Sequence, residues 1–352
     1  MLIVHNQTVL PDFSAEPGHK PNCRYLQGRI ARRSAGRLCK YRLMVQRSVI
    51  TESLEIAFEE FGPADGSVAV LLHGFPYAAT ACIDSACLLA ESGMRVLVPS
   101  LRGHGATRFV ASDIMRSGQQ GALGQDLLQF LDALKVSRAV LAGYDWGGRA
   151  ACIVAALHPE RVIGLVSGAG YNIFDHAHAN APGTAEQELR YWYQWYFQTE
   201  RGQRGLESNR REFTRLLWRL WSPTWAFTDG DFAAAATAFD NPDWADVVIH
   251  SYRHRYVAVP GDPRYETIEA ALTTAPVISV PTIVLHGAED GVDPPDRAAT
   301  PVVAAHFSGP YEWRVLIGVG HNLPQEAPEA FATAVQDILH AGTPHDTRYS
   351  AQ

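Results

Sequence analysis

The sequence predicts an α/β protein: a mostly parallel central sheet flanked by helices, with a helical cap. Two observations predict it. Short apolar runs alternate with helical stretches along most of the chain, and one long interior segment breaks that rhythm. The composition agrees, because 352 residues with 47% hydrophobic and 19% charged side chains can bury a large core. The same fractions exclude disordered, collagen-like and coiled-coil proteins.

The elements follow in chain order. Residues 1–47 hold nine Lys/Arg against Asp12 and Glu16, a balance of +7, so the rest of the chain carries −14. This opening lacks both the 2.0 and the 3.6 period, and residues 1–43 are expected to be a flexible basic extension. Leu54, Ile56 and Phe58 alternate with Glu55 and Ala57, which predicts a half-buried strand. Val45 and Val49 share one parity and suggest a weaker partner strand before it. Val68–Leu72, Arg95–Pro99, Ala139–Ala142, Val162–Ser167, Thr282–Leu285 and Trp313–Ile317 are near-continuous apolar runs, the mark of parallel strands covered on both faces. Helices are expected between them, among others at Gly121–Leu134 and Arg149–His158. From 172 to 265 the chain is dense in aromatics and arginines (RYWYQWYFQ, RREFTRLLWRLWSPTW, HSYRHRY) and has no buried-strand run. It reads as a helical cap inserted into a core of residues 44–171 and 266–340, with 341–352 as a tail.

Charge and cysteines narrow the function. An acidic main body disfavours nucleic acid as a partner. No apolar run reaches membrane-spanning length, and MLIVHNQTVLPDF lacks the plan of a secretory signal, so a cytoplasmic protein with no membrane partner is expected. Cys23, Cys39, Cys82, Cys87 and Cys152 show no metal-ligand spacing, and reduced thiols without a metal or cofactor are the simplest reading. The partner is then a small-molecule substrate, bound by a monomer or a homodimer.

The chemistry lies at strand ends. Gly143-Tyr144-Asp145-Trp146-Gly147 has the Gly-X-nucleophile-X-Gly form of a strand-to-helix elbow. Its central residue is Asp145 where serine is usual. A carboxylate needs no deprotonation and can attack carbon directly, giving an alkyl-enzyme ester. Helix capping alone would be the other role for Asp145. His73-Gly74-Phe75-Pro76 follows the first buried strand, and the backbone N–H of Phe75 with that of Trp146 would make an oxyanion hole. Asp290 follows the fifth strand and His321 the sixth, so nucleophile, acid and base come in that order. Asp290 would orient His321, and His321 would activate water. Glu289 and Asp293 compete for the acid role.

These motifs make the chain resemble an α/β hydrolase of the epoxide-hydrolase branch, from about Met44 to Leu339. HGFP at His73–Pro76, PSLRGHG at Pro99–Gly105 and GYDWGG at Gly143–Gly148 are of that type. The resemblance implies two cap tyrosines that donate hydrogen bonds to the epoxide oxygen. Tyr193 and Tyr252 match them, with Tyr191, Tyr196 and Tyr256 as replacements. Epoxide opening to a diol is the implied reaction. Alternatives are an ester or lactone hydrolase of macrolide-esterase type, a haloalkane dehalogenase, and a non-catalytic receptor. Arg149, four residues past the nucleophile, is the one arginine shared with the fluoroacetate dehalogenases.

Overall fold

A computed structural model of the chain describes residues 22–27, 47–295 and 301–341. Ten strands form one sheet: β1 (Asn22–Gln27), β2 (Arg47–Ile50), β3 (Leu54–Phe61), β4 (Val68–Leu72), β5 (Arg95–Pro99), β6 (Arg108–Phe109), β7 (Ala139–Gly143), β8 (Val162–Gly168), β9 (Thr282–Gly287) and β10 (Tyr311–Ile317). Their order is β1-β10-β9-β8-β7-β4-β5-β3-β2, with β6 paired to β3. From β1 to β5 every neighbouring pair is parallel, while β3 runs antiparallel to β5, β2 and β6. The mostly parallel sheet expected from the apolar runs is what forms, since every residue of β7 and β9 is buried.

One expectation is corrected. The basic opening segment is not without regular structure, because Asn22–Gln27 pairs with the outer edge of β10 from Glu312 to Ile317. The strand is short and mixes polar with apolar residues, so no run or alternation announces it. Residues 1–21 and 28–46 lie outside the described residues, as do 342–352 of the expected tail.

Helices α1 (Ile83–Glu91), α2 (Gln120–Ala133) and α3 (Asp145–Leu157) follow β4, β6 and β7. α2 packs on α3, and α1 packs on the final helix, so one pair covers each face of the sheet. α3 begins at Asp145 itself, four residues before the expected start, because the helix springs directly from the elbow. The cap comprises α4 (Ala185–Arg190), α5 (Trp192–Tyr196), α6 (Glu200–Trp221), α7 (Asp229–Ala236) and α8 (Trp244–Arg255). Thr199 caps α6 through the Gly202 N–H, and Thr228 with Asp231 forms a capping box on α7. The chain closes with α9 (Glu266–Leu272), α10 (Pro301–Ala304), α11 (Leu323–Glu326) and α12 (Pro328–Ala341). Among the described residues no helix is long and apolar enough to cross a membrane.

β4 and β7 are neighbours, yet β4 leads on to β5 on one side and β7 to β8 on the other. The connections diverge there, and a crevice opens beyond the carboxyl ends of the two strands. The His73–Pro76 loop and the elbow both open into it.

Candidate active site

The glycines of the elbow are there because nothing larger fits. A Cβ on Gly143 would lie 2.5 Å from the Gly147 carbonyl carbon, and one on Gly147 would lie 2.4 Å from the Leu72 carbonyl oxygen. Strand, loop and helix can therefore close on Asp145, which is held at φ +51°, a conformation an L-residue keeps only where its surroundings enforce it. The Phe75 N–H donates to Asp145 Oδ1 at 2.7 Å. Gly74 makes room for that bond, since a Cβ there would lie 2.7 Å from the same oxygen. Trp146, expected as the second donor, does not hydrogen-bond the carboxylate through its N–H. Its ring is buried against Phe75 at 5.7 Å, and it is not part of the cavity wall.

His321 lies on the other side of the carboxylate. Its Nε2 is 3.8 Å from Asp145 Oδ2, and its Nδ1 is 2.9 Å from Asp290 Oδ2. Asp290 accepts the N–H groups of Val292 and Asp293 on its remaining oxygen, which leaves Oδ2 for the ring. Glu289 is exposed, and the Asp293 carboxylate meets the Tyr191 hydroxyl at 3.5 Å, so Asp290 is the acid that reaches His321. Burial disfavours the imidazolium, but Asp290 and Asp145 outweigh it and push His321 well above the usual histidine range. Burial likewise raises Asp145, and His321, Arg149 and the Phe75 amide overcome it to hold the carboxyl below its ordinary value.

A cavity of about 160 Å³ opens onto these groups. Tyr144, Asp145, Asp290 and His321 line the sheet side, and Tyr191, Tyr193, Arg255 and Tyr256 line the cap side. The Tyr193 hydroxyl accepts the Gln194 side-chain N–H at 2.9 Å, which leaves its own proton to donate. Burial pushes its phenol well above the usual range, so it stays protonated. Tyr252 adjoins Tyr193 edge to face at 5.4 Å but is absent from the wall, standing among Phe75, Phe197 and Trp146. Tyr256 is on the wall, but its hydroxyl donates to Gln194 Oε1 at 2.8 Å. Tyr196 packs on Phe213 outside the cavity.

His73 also stands back from the cavity. Its Nε2 accepts the Leu101 N–H at 3.1 Å and its Nδ1 faces the Gly74 carbonyl at 3.1 Å. Burial, and then the neighbouring His104, push it down to about 3, so it is a neutral tie between two loops. Four contributors escaped the sequence reading. Gln194 links Tyr193, Tyr256 and Arg255, and Arg255 itself reaches the wall from the end of α8. Ser222, one residue past α6, accepts the His321 N–H at 3.0 Å and donates to Glu326 Oε1 at 2.5 Å. Glu326 in turn accepts the N–H groups of Gly320 and Asn322 around the His321 loop. Only the helical run of aromatics hinted at Gln194; the others carry no local signal. No group of three or more His, Cys, Asp or Glu side chains among the described residues could hold a metal ion.

Fold and site together define a class: the chain belongs to the α/β-hydrolase fold family, whose sequence profile matches residues 69–328. It is an enzyme of the epoxide-hydrolase-like kind. A solved structure of a candidate epoxide hydrolase from Klebsiella pneumoniae is 43% identical, covers 83% of this chain and 96% of its own, and superposes with a TM-score of 0.81. Epoxide hydrolase A of Mycobacterium tuberculosis is 28% identical over 334 residues, covering 84% of this chain and 97% of the relative. The fold is shared with Epoxide hydrolase A from Mycobacterium thermoresistibile, at 23% identity and a TM-score of 0.65 over 84% of this chain and 98% of that one.

Proposed function

We propose that this protein hydrolyses epoxides to diols through a covalent ester on Asp145. The observation that carries the reading is a carboxylate at the elbow, strained to φ +51°, with Oδ1 fixed by the Phe75 amide and Oδ2 turned to the cavity side near His321. Oδ2 attacks a ring carbon in line with the C–O bond, which breaks as the ester bond forms. The freed oxygen takes the proton of Tyr193, with Tyr252 beside it. Esterification removes the charge of Asp145, and with it part of what keeps His321 protonated. The imidazolium proton passes through solvent to the Tyr193 phenolate, and the neutral ring becomes a base. It takes a proton from water, whose oxygen attacks the ester carbonyl while the Phe75 N–H, joined by the Trp146 N–H, supports the oxyanion. Collapse expels the alkoxide, which takes the remaining proton of the added hydroxyl, and the diol leaves with Asp145 restored as a carboxylate.

The cavity bears on the substrate. About 160 Å³ is near the ~150 Å³ that holds benzene in an apolar core, so the substrate is small. The test is intact mass of a His321→Gln variant after exposure to small epoxides. Losing the base should slow hydrolysis more than attack, and a species heavier by one whole epoxide, mapped to Asp145, is expected. An adduct lacking a halide from a haloalkane, and none from epoxides, would make the enzyme a dehalogenase. Full turnover by Asp145→Asn would overturn the covalent route.

A further inference from the structure

Two guanidinium groups share the wall of the catalytic cavity, and among the described residues neither is ion-paired to a carboxylate. Arg149 sits one helical turn beyond Asp145 on α3, and Arg255 ends α8 in the cap. Both line the catalytic cavity, and both also line a smaller space behind it toward His176 and His254. Among the described residues neither forms an ion pair. Arg149 spends its Nε–H on the Asn172 carbonyl at 3.0 Å, and Arg255 spends one N–H on Gln194 Oε1 at 3.1 Å. Arg255 also lies over the rings of Phe174 and Tyr252, at 5.1 and 4.9 Å. A guanidinium carries five donors, so most remain unspent in each.

The surrounding acids are engaged elsewhere. Asp290 holds His321, Asp293 meets the Tyr191 hydroxyl, and Glu269 behind the pair accepts the Gly121 N–H and faces His176. Asp145 is the carboxylate whose charge acts on both arginines. Burial, then the like charge of Arg255, pushes Arg149 down to about 10, so the two cations repel at a cost the folded protein bears. Both stay charged at neutral pH. Charge balance gives the pair a use. A substrate anion beside the Asp145 carboxylate would meet repulsion, and two cations are the number that offsets both negative charges.

We propose that Arg149 and Arg255 form an anion clamp, and that the substrate is a small epoxide bearing a carboxylate or similar anionic group. The inference rests on the epoxide-opening reading for the reaction, though not for the binding of the anion. A planar guanidinium pair suits a carboxylate, whose two oxygens accept several N–H bonds at once. The cavity volume admits an oxirane acid of about six heavy atoms, the size of benzene.

The test has a kinetic arm and a binding arm. Turnover of oxirane-2-carboxylate is compared with that of its primary amide, which has the same shape and no charge. Wild-type enzyme should favour the acid by roughly ten- to hundredfold in kcat/KM, and Arg255→Gln should bring that ratio toward one. In calorimetry, 2,3-dihydroxypropanoate should bind wild type at least about tenfold more tightly than its amide, and Arg255→Gln should erase the difference. Equal binding of acid and amide, or an amide preference in turnover, overturns the clamp. Preferential binding of the acid with no turnover of either epoxide upholds the clamp and fails the epoxide reading. Because wild-type protein alone decides the acid-against-amide comparison, an unstable variant does not blunt it.

Discussion

Gly74 shows how tightly single residues set this site. A methyl group there would lie 2.5 Å from the Asp145 Cβ and 2.7 Å from its Oδ1, so Gly74→Ala must push the carboxylate off the Phe75 amide. Displacing a reacting group by about 1 Å costs on the order of a hundredfold. Gly74→Ala should therefore lose about that much kcat/KM while its circular dichroism spectrum stays that of wild type. Activity within a fewfold of wild type would mean that the Phe75 bond does not position the nucleophile. His321 gives a second prediction, in pH. Its folded-state pKa is raised, so the stability it contributes is fully present below its unfolded value near 6.5 and is lost as pH rises through the folded value. The depressed Asp145 and Asp290 act in the opposite direction, losing their contribution only as pH falls into the carboxylate range. Tm should thus decline as pH climbs above neutral, and His321→Gln should flatten that decline. An identical slope in the two proteins would refute the assignment. At this scale the sequence was most informative where a reactive side chain ends an apolar strand beside glycines, as Asp145, Asp290 and His321 do. It was least informative in the cap, where Tyr193, Tyr252 and Tyr256 look alike and only the packed helices distinguish the Tyr193 hydroxyl, which accepts from Gln194, from that of Tyr256, which donates to it.

Helix α6 ties the cap to the chemistry. The Trp221 carbonyl at its end accepts the N–H groups of Gly291, next to the acid, and of His321, at 3.0 and 3.2 Å. Ser222 then reaches the His321 N–H and Glu326. The Trp218 indole N–H bonds the Pro76 carbonyl at 2.9 Å, so the same helix also braces the loop that carries Phe75. Ser222→Ala leaves the His321 N–H to the Trp221 carbonyl alone and takes one donor from the buried Glu326 carboxylate, at about 0.5–1.5 kcal/mol for each bond lost. If the helix positions the base, kcat should fall by roughly ten- to hundredfold with KM little changed. A lowered Tm with kcat intact would restrict α6 to holding the fold together. None of this could be seen in the sequence, because a serine after an aromatic helix carries no mark of its distant partners. The strands were the opposite case. Val68–Leu72 and Arg95–Pro99 begin and end where the apolar runs do, since burial on both faces imposes the run. β7, β8 and β9 run one or two residues further, through Gly143, Gly168 and His286-Gly287, because the ladder continues into the residues that start the catalytic loops.

For the whole molecule, the unexpected strand at the sheet edge is the feature with the clearest consequence. β1 pairs Asn22 to Glu312 and continues in register to Gln27 opposite Ile317, covering all of β10 but Tyr311. Starting the chain at Met44 removes it. The ladder bonds lost and the conformational freedom regained by six residues oppose each other, so the net effect on folding is small. A change of one kcal/mol moves Tm by roughly 2–4 °C in a domain of this size, and a shift of a few degrees is expected. The larger effect lies in what β10 then presents. Its outward N–H and C=O groups from Glu312 to Ile317 would face solvent, a template for pairing with another chain. The shortened protein should therefore associate more readily than the full chain as concentration rises, while kcat measured at low concentration stays close to wild type. Light scattering across a concentration series, read beside Tm and kcat, separates these effects. Equal scattering and an unchanged Tm would show that β1 neither stabilises nor shields the sheet. A collapse of kcat in the dilute shortened protein would instead show that β10 needs its outer neighbour to hold the His321 loop in place.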